Sequence, residues 1–401
     1  RGISAEQVFR LDRSQSRSPG RVLASDDPLP HSYIVGKPTI KPKVTGPGVP
    51  VDGKELEMDI DTMIEQKAFI YACGKNSEGD LGLGHSDARE NLPKNVAQLN
   101  DFPVKQMVAS NSHTVLMTPS GEVHVAGSTL HGKLGLEGIE KKSLAKFHVI
   151  TQVAEYGTVT QVCCSDYVTL CLLSDHSILS FGGANMKDKS NVQPDLNTGE
   201  IVAGLDGIEI VYISCGDYHA AAIDVDGNLY TWGGGKTKQY NKGQCGHGND
   251  QLLETPKRVE ALAHKRIEKV SCGASHTLAL SDDQELYTFG SGAFGECGTG
   301  DNSDLPLPKK LDIPKPKAGG ANKSDKLMKE LLNEKDNKLK SFTEECSRIV
   351  DIAAGGKHSM VLTSAGLLYT FGFGDQGQLG HRDTDNQKKP KLVDDFDGIR
   401  I

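Results

Sequence analysis

The stretch Ile267 to Gly300, IEKVSCGASHTLALSDDQELYTFGSGAFGECGTG, decides the fold, because the chain repeats it with variations. Read by period, Lys269 to Cys272 is a short apolar strand, Gly273 turns it, and His276 to Leu280 is a second strand. Asp282 and Asp283 form the polar tip of a hairpin, and Leu286 to Phe289 returns as a third strand. Gly290 closes that strand. The glycines that follow (Gly292, Gly295, Gly298, Gly300) offer positions for positive φ or close backbone approach.

The same order recurs at Gln161 to Gly183, Val211 to Gly248 and Ile349 to Gly380, and more loosely at Gln106 to Gly135. The glycine that closes the third strand serves as a ruler: Gly74, Gly127, Gly182, Gly233, Gly290, Gly372, with spacings of 53, 55, 51, 57 and 82. A charged insertion of about 30 residues explains the last spacing. Four short strands per unit at such a period predict propeller blades, since one sheet of this size cannot bury its own faces. The expected fold class is all-β, a ring of four-stranded antiparallel blades with the closing glycines in equivalent places.

The combination of SCGASHTLAL, LYTFG and GQLGHRD (Gly377 to Asp383) resembles the regulator of chromosome condensation family over roughly Ala68 to the end. That resemblance implies a seven-bladed β-propeller. It does not choose a function, because the family's propellers serve as an exchange factor for the Ran GTPase, as modules of ubiquitin ligases and signalling proteins, and as scaffolds. Under the exchange-factor reading, acids and a histidine in the turns between first and second strands line the GTPase-facing rim. Turn for turn, Asp166 matches the acid of the second repeat, His358 falls in the matching turn of the fifth, and the third repeat's acid falls on Tyr218, with Asp217 one place away.

Two domains are expected: an extended basic, Pro-rich arm over 1–58, and the propeller over 59–401 with a helical insertion at 315–346. Within 1–50 the chain carries a net +4, against −12 for the rest. The arm has too few apolar side chains to offset the entropy of ordering, so it is expected to lie on an acidic surface, a partner's or its own propeller's. Arg10, Arg13, Arg17 and Arg21 are its candidate contacts. Their spacing among serines also resembles, faintly, an organelle transit peptide, which leaves a mitochondrial setting open. In the insertion, SDKLMKELLNEKDNKLKSF puts Leu327, Leu331 and Leu339 on one helical stripe, to pack on the propeller or be offered to a partner. Ala68 to His85 carries a third strand and glycine run with no preceding half; the C-terminal strands are expected to complete that blade, and the ring is expected to have a gap. Ala184 to Thr198 lacks a glycine run and reads as an exposed contact loop.

Composition narrows the function classes. An acidic propeller with one Trp is a poor general binder of phosphate backbones or stacked bases. Nine cysteines without a CxxC predict buried, reduced thiols in an intracellular protein, cytoplasmic or cytoskeleton-associated rather than nuclear. No run of 18 apolar residues exists. Gly233-Gly234-Gly235-Lys236-Thr237 fails as a phosphate loop because Tyr230 stands where a glycine is needed. No catalytic triad, cofactor motif or metal-ligand spacing appears, and the recurrent histidines (His113, His219, His276, His358; His85, His247, His381) are expected to do one repeated packing job. The expected function is a non-enzymatic scaffold that docks into a larger protein assembly through rim loops, arm and inserted helix, with guanine nucleotide exchange on a Ran-like GTPase as the alternative.

Overall fold

The computed structural model describes residues 32–36, 69–182, 197–235, 240–249, 251–314 and 348–394. Five sheets have four antiparallel strands and one has three, and within each the strands follow meander order. In the fifth blade, for example, Ile267–Cys272, His276–Ser281, Leu286–Gly290 and Leu305–Leu311 pair in sequence.

Burial explains why these short segments are strands. Side chains alternate between the two faces of a sheet, and in the second to fifth blades both faces of the middle strands meet a neighbouring blade. Leu278 and Leu280 pack with Ile352, Val361 and Phe371 of the sixth blade, whereas Ala279 packs with Ala221 and Ile223 of the fourth. The same sharing joins the first to the second blade, the second to the third and the third to the fourth. Second strands such as His219–Asp224 are therefore buried at every position. Each side chain of Leu or Phe size so buried contributes about 1.5–3 kcal/mol. The fourth strands lie outermost and exposed, which is why LPLPKKL can carry two prolines.

The closing glycines occupy equivalent places, as expected. Gly127, Gly182, Gly233, Gly290 and Gly372 have φ of 118°, 97°, 93°, 104° and 104°. A Cβ on Gly290 would lie 2.5 Å from the Ser275 carbonyl oxygen, and one on Gly127 would lie 2.4 Å from that of Ser112.

The first blade departs from expectation. Its strands are β1 (Ser32–Gly36), β2 (Phe69–Lys75) and β3 (Arg89–Asn95), in the order β1-β2-β3. The strand beside β2 comes from the arm rather than from the C-terminal side. An extended edge needs a backbone partner, and SYIVG, apolar and β-branched within a polar arm, can supply one. Only one face of β2 is covered: Ile70 and Ala72 are buried against the second blade, while Phe69 and Tyr71 are 38% and 41% exposed. The expected inserted helix, the loop 184–196 and the segment 395–401 lie outside the described residues.

Candidate interaction rim and the latches beneath it

Strand direction alternates, so the turns between first and second strands share one end of the barrel of blades with the loops that follow third strands. The closing glycines sit just inside this rim. Beneath it, the second strands of the second, fourth, fifth and sixth blades begin with a histidine opposite the closing glycine: His113 faces Gly127, His219 faces Gly233, His276 faces Gly290, and His358 faces Gly372.

Three of these histidines latch onto the next blade. His113 Nε2 lies 2.9 Å from Thr169 Oγ1, His219 Nε2 lies 2.6 Å from Thr277 Oγ1, and His276 Nε2 lies 2.9 Å from Ser359 Oγ. Each hydroxyl donates its own proton to a carbonyl in the glycine run of the preceding blade: Lys133 at 2.7 Å, Gln244 at 2.8 Å and Glu296 at 2.8 Å. With that proton engaged, the hydroxyl can only accept from the ring, so Nε2 carries the hydrogen. Burial keeps the His219 and His276 rings neutral, pushing them down to about 3. Gly273 makes room for the ring, since a Cβ there would lie 2.2 Å from His276 Cε1.

One seam is built differently. The third blade has Val168 in the histidine position, and the fourth has Ala220 in the matching hydroxyl position. Both halves of the latch are absent together, and the seam is filled by Val168, Leu170, Ala220 and Trp232. A hydroxyl left there without its partners would cost about 1–3 kcal/mol. The inner strands are tied as well, by Gln106 to both backbone groups of Val162 and by Gln161 to those of Ile213.

The second histidine set ties the glycine run to its own blade. His247 and His381 lie 2.9 Å from Thr231 Oγ1 and Thr370 Oγ1, whose protons go to the Cys245 and Leu379 carbonyls. In the first blade Ala72 replaces that threonine. His85 instead meets Asp87 at 3.2 Å, and ligand atoms of His85, Asp87 and Glu90 lie within 4.8 Å of one another. Lys94 Nζ, 2.7 Å from Glu90, already supplies the cation there.

On the rim itself, Asp166, Asp217 and Tyr218 come together with Tyr167 and Tyr240. Asp166 accepts from the backbone N–H of Asn111 at 2.9 Å and from Asn111 Nδ2 at 3.1 Å, so its carboxylate bridges two blades. Lys133 is 2% exposed and reaches Ser112 Oγ at 2.8 Å and the Asp166 carbonyl at 3.0 Å; burial holds it down to about 8. Tyr218 stacks on Tyr240 with centroids 5.0 Å apart. Burial and the neighbouring carboxylate of Asp166 push Tyr167 up to about 12; burial and Asp217 raise Tyr218. His358 does not join them on the surface: it is 8% exposed, in the latch position, with its pKa lowered by burial. Further round, Phe294 and Phe373 meet edge to face at 4.8 Å, and Lys357 Nζ stands 4.9 Å and 5.3 Å from the two ring centroids. The opposite end carries polar hairpin tips, with Lys265 bonded to Asp283 and Glu285 at 2.6 Å each. Arg10, Arg13, Arg17, Arg21, Leu327, Leu331 and Leu339 lie outside the described residues.

Sequence reasoning placed Asp166 on the rim but missed Tyr167, Tyr240, Phe294 and Phe373. It also missed the latch partners. The signal was present as His-Thr or His-Ser dipeptides, with the Val168 and Ala220 exceptions offset by one blade. Among the described residues, none of the eight cysteines from Cys73 to Cys297 forms a disulfide, and no helix is long and apolar enough to cross a membrane.

Two family models, both described as Regulator of chromosome condensation (RCC1) repeat, match the chain. One covers residues 69–117, 226–280 and 365–401, the other 210–239, 267–296 and 349–378. The chain is 27% identical over 341 residues to the human (Homo sapiens) E3 ubiquitin-protein ligase HERC2, covering 83% of this chain and 6% of the ligase. It is 26% identical over 331 residues to the Ultraviolet-B receptor UVR8 of Arabidopsis thaliana, covering 81% of this chain and 65% of the receptor. Among solved structures, human WBSCR16 superposes with a TM-score of 0.62 at 20% identity over 81% of this chain and 76% of that one. Prp20p from Saccharomyces cerevisiae gives 0.63 at 20% identity, over 81% and 74%.

Proposed function

The chain belongs to the regulator of chromosome condensation repeat family, and from that premise we propose that it is a non-enzymatic docking propeller, held in a larger protein assembly by its aromatic rim. The observation that carries this reading is the asymmetry between the two ends. One end groups the partly exposed rings of Tyr167, Tyr218, Tyr240, Phe294 and Phe373; at the other, the hairpin tips are charged and polar apart from the exposed Val225. Rigid aromatic side chains beside polar groups are the composition of protein-binding hot spots. The arm and the insertion at 315–346 are further attachments in this reading. Exchange on a Ran-like GTPase is the competing function, and the solved relative Prp20p binds Gsp1p and histones. Two features weigh against exchange here. Asp166 already spends both carboxylate oxygens on Asn111, and His358 is buried.

The test pairs two measurements. In cells, Tyr218→Ala with Phe294→Ala is expected to strip away the proteins that co-purify with the natural chain, while Asp283→Ala at the opposite end leaves them. Retention with the rim variant, or equal loss with both, contradicts rim docking. In solution, release of labelled GDP from a panel of small GTPases is expected to be unchanged, and acceleration of about tenfold or more would replace the scaffold by the exchange factor.

A further inference from the structure

The strand β1 has the register of a second strand. In the complete blades, the residue one place before the closing glycine pairs with the hydroxyl position: Thr114 with Ala126, Thr277 with Phe289, Ser359 with Phe371. In the first blade the closing glycine is Gly74, and Ser32 pairs with Cys73, one place before it. The sequence agrees with the register. His31-Ser32-Tyr33-Ile34-Val35 repeats the order histidine, hydroxyl, then three uncharged residues found in HTVLM, HTLAL and HSMVL. Composition averaged over the arm conceals this, because the segment stands among prolines, glycines and basic residues.

We propose that the edge of β2 is a strand-acceptor site and that its occupant is this chain's own segment 31–36, entering as a detachable second strand. In every other blade, turns of only a few residues lead from the first strand to the second and from the second to the third. Here residues 37–68 separate β1 from β2, so the strap can leave and return without unfolding the blade that receives it. Backbone pairing supplies affinity at such an edge, and side chains at fixed register positions supply selectivity. The chemistry selected is a short extended segment beginning His-Ser or His-Thr followed by apolar residues. By its place in the sequence, one ahead of the hydroxyl, His31 corresponds to the histidine that latches onto the next blade elsewhere. The receiving position in the second blade is Thr114, whose hydroxyl donates to the Asp80 carbonyl at 2.6 Å as the other receiving hydroxyls do to theirs.

The experiment uses the full chain with Tyr33→Pro and Ile34→Pro together. Successive amides of a strand point to opposite edges, so one of the two prolines must remove a bond to β2. Hydrogen exchange at Phe69–Lys75 is expected to speed up by about tenfold or more, with Ile267–Cys272 of the fifth blade unchanged. A synthetic peptide of residues 28–40 added in trans is expected to restore protection, and the same peptide with His31→Ala is expected to need a several-fold higher concentration. Unchanged exchange at Phe69–Lys75 would overturn the proposal. So would equal restoration by a scrambled peptide, or a loss of protection that spreads equally to the fifth blade.

Discussion

Replacing one latch by the apolar pair that the chain already uses elsewhere gives a quantitative test of how the blades are joined. Thr277→Ala leaves the His219 Nε2–H and the Gln244 carbonyl, both buried, without the hydroxyl they share. Two such losses cost about 2–5 kcal/mol. His219→Val removes a fully buried ring and leaves a cavity, for about 2–4 kcal/mol. Together the two substitutions reproduce the Val168 and Ala220 pairing of the neighbouring seam. The orphaned imidazole is then gone, and the double variant is expected to cost about 1–2 kcal/mol less than the sum of the singles. A chain of several blades need not unfold in one step, so the readout is native-state hydrogen exchange at His219–Asp224 and His276–Ser281. Additivity within about 0.5 kcal/mol would refute the latch as a coupled unit.

Acid should act on the same contacts. His219 and His276 are held near 3 by burial, against 6.5 when exposed, so the unfolded chain binds more protons across that interval. Their stabilising contribution is complete above pH 6.5 and is lost progressively as pH falls toward 3; pH-dependent melting with His219→Val is expected to show a shallower decline. Gly290→Ala forces a Cβ to 2.5 Å from the Ser275 carbonyl at a φ of 104° and is expected to cost about 2–4 kcal/mol, whereas Gly356→Ala, with nothing within 4 Å, should stay within about 1 kcal/mol. Denaturant melts compare the two directly. Lys357→Glu should weaken docking without loss of fold, because it takes a cation from over Phe294 and Phe373; thermal melting and partner co-purification separate the two effects.

The complete blades were legible because the same three constraints recur: a glycine at positive φ, a largely buried middle strand, and a polar hairpin tip. Ile267–Cys272, His276–Ser281 and Leu286–Gly290 fall within two residues of their sequence reading. The fourth strand, Leu305–Leu311, was not legible in its own right, since an exposed outer edge imposes no alternation and tolerates proline. β1 escaped notice because five residues carry the signal inside an arm whose average is polar. At the rim, the family resemblance, followed turn for turn, singled out Asp166, Asp217 and Tyr218. It could not show that Asp166 bonds Asn111, 55 positions away, nor that His358 belongs to a buried latch series rather than to the surface. Contacts of that kind depend on which blade follows which, and a single repeat does not contain them.

Rim docking is tested most directly by a hydrogen-exchange footprint of the chain in its native assembly against the chain alone. Added protection is expected at the turns around Tyr167, Tyr218 and Lys357 and in the loops around Tyr240 and Phe294, with the hairpin tips around Asp226 and Asp283 unchanged. Protection confined to those hairpin tips, or no difference at the aromatic rim, would contradict it.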